Sequence, residues 1–386
     1  MNAEKYDMCA NSLEDLYKES LLEIVGNKPP VIIDIKCDNV DYMLKHIDKN
    51  KSIFGALITS LVKKVIDPDQ DVRLHRKNFN GGYSARTLDT KVTTPFLLRN
   101  FPRYANKESS FLTMATRESV KWDLIEGMEI KMRDDNLKIS FLTILDDVQR
   151  YPVKSQIYIR YIIYRLIQLT QTDNILYSDV LNKIPDKPVI TIEALIELLS
   201  EHFKSHNSSR LPVIAIWTVY QLFEQTMKRY DGKMLQKLNV QTSSDRKGFA
   251  DIEILDENSN PFEGVEVKHN IPIDLDLILN IEKKVSQFNI DRYYVLTTYA
   301  SCFRSTDQEK EICEYIRNLK MKSGIEIVTN GILQSLKYYF RLLDDYKIFI
   351  KIYTKNLIDD AKNSTEVTNE HVKNWYELIK PFSKQT

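Results

Sequence analysis

Asp251 and the triplet Glu266-Val267-Lys268 sit on two short hydrophobic runs, Gly248 to Leu255 and Val265 to His269. Both runs alternate polar and apolar residues with period two, the pattern of half-buried strands, and Asp256-Glu257-Asn258-Ser259-Asn260-Pro261 between them is turn chemistry. The spacing therefore predicts a β-hairpin. With its loop centred on Asn258 and Ser259, antiparallel pairing sets Asp251 opposite Glu266, and alternation puts Lys268 on the same face. Two acids and an amine brought to one face are costly unless a cation offsets the repulsion. Mg²⁺ takes hard oxygen ligands, usually one or two carboxylates with water and a substrate phosphate. Asp251 and Glu266 supply the carboxylates, and the main-chain carbonyl of Val267 supplies a third oxygen. Lys268 then stands where it orients a water for in-line attack on a phosphodiester and offsets transition-state charge.

A Glu-x-Lys triplet alone carries little information, as two other segments of this chain illustrate. Glu129-Ile130-Lys131 follows Asp123 too closely for two strands and a turn, and reads as a solvated face. Val31-Ile32-Ile33-Asp34-Ile35-Lys36 reads as a strand, but Glu23 before it continues a helical period from Leu13. The third copy is favoured by its surroundings. A helix is expected over Leu211 to Arg229 with Ile216, Tyr220, Phe223 and Met227 on one apolar stripe, and another over Asp274 to Phe288. Then follow a strand Arg292 to Thr298, a helix Gln308 to Met321, a strand Gly324 to Val328 and a helix Ile332 to Leu343. Strands alternating with helices predict an α/β fold, a mixed β-sheet flanked by helices, joined to a largely helical N-terminal lobe.

An Asp, a gap, then Glu-x-Lys on a hairpin behind a helix resembles the PD-(D/E)xK nuclease superfamily. More narrowly, the chain is similar to type II restriction endonucleases of the SacI-like kind. The residues that carry this are Leu211 to Ile216, Arg229-Tyr230-Asp231-Gly232-Lys233, Thr242 to Lys247, Gly248 to Leu255, Pro261 to His269, and a second island from Asn80 to Lys91. Ala250 stands where the literal motif has Pro, which leaves the ligand chemistry untouched. The resemblance implies Mg²⁺-dependent, sequence-specific hydrolysis of double-stranded DNA leaving 5′-phosphate and 3′-hydroxyl ends. It implies Asp251, Glu266 and Lys268 as the catalytic set, with Glu224 on the preceding helix as a further acid. It also implies a separate methyltransferase protecting the same site. Cutting both strands of a palindrome suits a homodimer.

The formal net charge is zero, yet the charges are unevenly spread. Between Arg73 and Lys107 the basic residues are Arg73, Arg76, Lys77, Arg86, Lys91, Arg99, Arg103 and Lys107, and the only acid is Asp89. Asn80, Tyr83 and other polar side chains lie among them, beside Gly81-Gly82. Arg pairs with guanine and Asn with adenine, so this stretch is the expected DNA reader, with Arg246 and Lys247 near the active site as additional contacts.

The four cysteines lack Cys-x-x-Cys spacing, so neither a zinc knuckle nor a disulfide framework is expected. No apolar run approaches the roughly 20 residues of a membrane span, and no secretory segment follows Met1, so a cytoplasmic location without membrane partners is expected. Gly81-Gly82 lacks the Gly-Lys-Ser/Thr of a phosphate-binding loop, and no nucleotide cofactor is implied. His202 and His206, one helical turn apart, read as an exposed helix end, and His269 as packing beside Lys268. The expected division is an N-terminal lobe at 1–205, a catalytic domain at 206–345, and a tail at 346–386 with a strand over Ile348 to Tyr353 and a final helix. Two rival functions remain: a repair or recombination nuclease with the same core, and a non-catalytic DNA-binding protein.

Overall fold

The computed structural model describes residues 3–184, 188–238, 248–288, 290–364 and 366–383. The chain forms two compact units that divide between Leu176 and Tyr177.

The first unit is helical, as expected. Its central helix, Ile47–Ile66, is buried almost continuously from Ile53 to Lys64, because residues with small or apolar side chains surround its whole circumference. The helices Ala3–Val25, Cys37–Lys45 and Asp135–Arg150 pack around it. The basic stretch is threaded on the same helix by Asp89. This carboxylate is fully buried and accepts hydrogen bonds from Ser109 Oγ (2.7 Å), the Ser110 amide (2.7 Å) and Thr59 Oγ1 (3.2 Å). Burial outweighs those bonds and raises its pKa.

The second unit holds a five-stranded sheet in the order β1 (Met234–Leu235), β2 (Ile252–Leu255), β3 (Pro261–Lys268), β4 (Arg292–Thr297) and β5 (Glu326–Gly331). The first two pairings are antiparallel and the last two parallel. The β2–β3 turn is closed by Asp256, whose Oδ1 accepts from the amides of Asn258 (2.9 Å) and Asn260 (2.8 Å). One face of the sheet carries Tyr293, Val295 and Ile327 and packs on the helices Leu275–Val285 and Thr306–Ser323. The other face meets the helix Arg210–Thr226, whose Tyr220 hydroxyl reaches Glu263. The sheet is thus mixed and covered on both faces.

Three expectations fail for identifiable reasons. Ile348 to Tyr353 is not a strand but the first part of the helix Ile348–Asn363. Its buried set, Phe349, Ile350, Tyr353, Leu357, Ile358 and Ala361, repeats at helical spacing, a period hidden when only six β-favouring residues are read. Val31 to Lys36 is not a strand either. Asp34 adopts a left-handed backbone (φ 53°), and Val31 and Ile33 are exposed. Nor do the units divide at residue 205: the helices Ile192–Phe203, Ile348–Asn363 and Asn369–Ile379 all pack within the second unit, so the tail belongs to its core. Among the described residues no helix is long and apolar enough to cross a membrane.

Candidate active site

The hairpin ladder follows the expected register from Ile252 to Ile254 and departs from it at the turn end. Ile252 pairs with Val265, Glu253 with Gly264 and Ile254 with Glu263, a shift at Ile254/Leu255 then sets Leu255 against Pro261, and Asp251 stands just before the first residue of β2. Odd-numbered β3 residues turn their backbone groups toward β2: Val265 O accepts from the Asp251 amide at 3.1 Å, and the Val267 amide donates to Asp251 Oδ2 at 2.9 Å. The N–H and C=O of a strand residue point the same way. The Val267 carbonyl therefore faces the Asp251 side as well.

Glu266 is only 6% exposed, yet its carboxylate is fully partnered. Lys268 Nζ lies 2.6 Å from Oε1, Lys284 Nζ 3.4 Å from Oε2, and the Tyr293 hydroxyl donates to Oε2 at 3.1 Å. Burial pushes the Glu266 pKa up, but the two lysines and the phenol outweigh it and hold the carboxyl below its ordinary range. It stays ionised. Burial, then the charges of Glu266, Asp251 and Glu253, push the Tyr293 phenol well above its ordinary range, so it remains a donor.

Tyr293 reaches this position because β3 has a glycine beside it. A Cβ on Gly264 would come within 2.8 Å of the Tyr293 ring and 3.1 Å of Ala250 Cβ. The ring crosses over Gly264, and its single O–H is shared between Glu266 Oε2 and the Phe249 carbonyl, 2.8 Å away. Glu253 completes the approach to Asp251: its Oε1 accepts from the amides of Phe249 (2.5 Å) and Ala250 (3.0 Å), closing the backbone just before Asp251.

The donor set suits Mg²⁺. Asp251 just before β2, Glu266 on β3 and the Val267 carbonyl offer hard oxygen donors of the kind that ion takes. Among the described residues no group of three or more His, Cys, Asp or Glu side chains is placed to hold a metal ion. Glu224 is not brought to this set. It accepts from the Leu235 amide at 3.0 Å, and its helix covers the opposite face of the sheet. On that face Glu263 is also buried, but Tyr220, Tyr230 and Arg229 bind both its oxygens (2.8, 3.0 and 2.8 Å), giving it a structural role.

The other expected residues fall in different settings. Arg73 is held by Asp71 (2.9 Å) and Asp146 (3.2 Å), and Arg103, 7% exposed, by Asp48 (3.1 Å) and Asp173 (3.4 Å). Tyr83 is buried with its hydroxyl 3.4 Å from Ser60 Oγ. These three are structural, contrary to the reading of the stretch as a continuous reader. Arg76, Lys77 and Arg86 instead line a cavity of about 410 Å³ in the first unit. Asn80 is exposed, Lys91 is exposed with its ammonium over the Tyr6 ring, and Lys107 is half-buried. Arg246 and Lys247 lie outside the described residues.

His202 is not an exposed helix end. It is fully buried, with Nε2 3.0 Å from the His371 carbonyl and Nδ1 3.1 Å from the Tyr353 hydroxyl, so the neutral ring carries its proton on Nε2. His269 bridges Ser208 and Thr298 beside β3. Sequence reasoning missed Tyr293, Lys284 and Glu253. Only the Gly at 264 hinted that a large side chain crosses β3.

No protein-family model matches this chain, and no curated protein matches it.

Proposed function

We propose that the chain is a Mg²⁺-dependent endonuclease of the PD-(D/E)xK type, acting on double-stranded DNA as a site-specific restriction enzyme. The observation that carries this reading is the buried, ionised Glu266, set one strand from Asp251 and bound by Lys268 on its own strand. Unlike Glu263, whose partners are two phenols and an arginine, Glu266 shares its strand with Lys268 and lies on the strand next to the segment that carries Asp251, the acid and amine types that Mg²⁺-dependent phosphodiester hydrolysis uses.

Asp251, Glu266 and the Val267 carbonyl would hold the metal. When bound, Mg²⁺ supplies charge neutralisation at the scissile phosphate and a more acidic water. The chain's own residues do the rest. Lys268 projects from the same face as Glu266, orients the attacking water and offsets charge accumulating on the phosphoryl oxygens. Tyr293 and Lys284 hold the Glu266 carboxylate in place and ionised. Glu253 and the Val267 amide fix Asp251 at the strand end.

A homodimer acting on a palindrome, a cytoplasmic setting and a companion methyltransferase belong to this proposal. Incubation of supercoiled plasmid with the purified chain in Mg²⁺ tests it. Discrete linear fragments, abolished by EDTA and by Glu266→Gln, are expected. Intact plasmid across Mg²⁺ and Mn²⁺ would remove the nuclease reading, and smearing would remove site specificity.

A further inference from the structure

The basic side chains of the first unit differ in how their charge is compensated. Arg73, Arg99 and Arg103 each pair with carboxylates. Arg76, Lys77, Arg86 and Arg117 form no ion pair among the described residues, and all four line the cavity of about 410 Å³, which has no acidic residue in its wall. Four like charges converging without a counter-charge oppose folding unless an anion binds there. Arg76 is oriented in advance: its Nη1 donates to the Arg117 carbonyl (2.5 Å) and to Ser119 Oγ (2.8 Å). A guanidinium has five N–H donors, so Nε and Nη2 still present three.

The remaining wall is aromatic. Phe111 and His75 line the cavity, and His75 stacks on Trp122 with centroids 3.7 Å apart and planes 10° apart. Burial pushes the His75 imidazole down to about 4, so at neutral pH it adds an apolar ring and no charge. A cavity of this volume lies within the range of small-ligand sites, roughly 300–1,000 Å³. A second cavity of about 640 Å³ shares Lys77 and Ser84 with it, so bound chain has room to continue past one unit.

We propose that this cavity binds one phosphate-bearing nucleotide unit of a DNA strand, with the phosphate among Arg76, Lys77, Arg86 and Arg117 and the base against Phe111 and His75. Cationic grooves with aromatic platforms bind single strands this way because every base has a π-face. A nucleotide enters such a cavity from a strand end or by leaving the base stack. Only the choice of a strand over a free nucleotide rests on the nuclease reading; the phosphate and aromatic chemistry does not.

Calorimetric titration of the full chain in EDTA, where no cleavage is measured, tests the cavity separately from catalysis. The probes are a 5′-phosphorylated octadeoxynucleotide, deoxyadenosine monophosphate and inorganic phosphate. The octamer is expected to bind, with affinity lowered at least tenfold by Arg86→Ala and by Arg117→Ala. Arg117→Lys should recover most of the loss, and Lys310→Ala, on an exposed surface of the second unit, should change nothing. Thermal unfolding of each variant checks that the fold is intact. Monophosphate binding as tight as the octamer's would overturn the strand assignment in favour of a free nucleotide. Octamer binding that is absent, or unaltered in the Arg86→Ala/Arg117→Ala double variant, would overturn the cavity assignment, whatever the plasmid assay shows.

Discussion

At the scale of single residues, Glu266 and Lys268 illustrate how a motif too short to trust becomes specific once its environment is known. Of the triplets at Asp34, Glu129 and Glu266, only the last has its acid buried and held ionised on a strand of the sheet. Asp34 is exposed and pairs with Lys154 at 2.9 Å. Glu129 ends a short 3-10 helix. Lys268→Ala should slow single-turnover cleavage by roughly 10²–10⁴-fold, as expected for a group acting on proton transfer and transition-state charge. DNA affinity should change little. A pure loss of affinity with normal turnover at saturation would make Lys268 a phosphate clamp. Tyr293→Phe removes a hydrogen bond to a charged group and should lower unfolding free energy by about 2 kcal/mol, with a smaller effect on cleavage than Lys268→Ala. A variant as inactive as Lys268→Ala but fully stable would show that the phenol acts on the substrate.

At the scale of elements, the hairpin was readable because its information is local, a period-two pattern and an Asp-initiated turn, whereas the bulge at Ile254/Leu255 was not. The helices that cover the sheet were readable for the same reason, from 3.6-residue stripes bounded by caps such as Asp274 and Ser305. Features that depend on distant partners were not. Tyr293 and Lys284 enter the site from β4 and the Leu275–Val285 helix, and Asp146 and Asp173 neutralise Arg73 and Arg103 from far outside the basic stretch. A reading of residues 73–107 alone therefore overstated its free charge. Gly264→Ala tests the β3–β4 crossing: the added methyl collides with Tyr293, and a loss of about 1–3 kcal/mol is expected by denaturant unfolding. Unchanged stability would mean that the ring does not lie over β3. The buried His202 gives a pH test. Burial lowers its pKa from 6.5 to about 3, so the unfolded chain binds the extra proton first as pH falls. Its contribution is fully present above pH 6.5 and is lost progressively as pH drops toward 3. Between pH 7.5 and 5.5 the loss should be about 1.4 kcal/mol for this group, and the buried His75, lowered to about 4, adds in the same direction. Urea midpoints that stay flat over that interval would contradict burial of both rings in their neutral form.

For the whole molecule, the account joins a sheet-bearing unit with a candidate nuclease site to a helical unit with a cationic cavity. A formally neutral chain can bind a nucleic acid without a generally basic surface when four cations without ion pairs line one cavity. Binding to long duplex DNA should weaken steeply with salt, and Arg117→Ala should flatten that dependence by about one counterion per lost contact. A slope unchanged by Arg117→Ala would put the phosphate contacts elsewhere. The central claim is that Asp251 and Glu266 hold the metal for phosphodiester hydrolysis. Its most direct test is run-off sequencing of plasmid DNA incubated in Mg²⁺ with the wild-type chain, Asp251→Asn and Glu266→Gln. The account predicts one recurrent cut sequence with 5′-phosphate ends for the wild type and none for either variant, while both variants still bind DNA in Ca²⁺. Recurrent cutting that survives in both variants would contradict it.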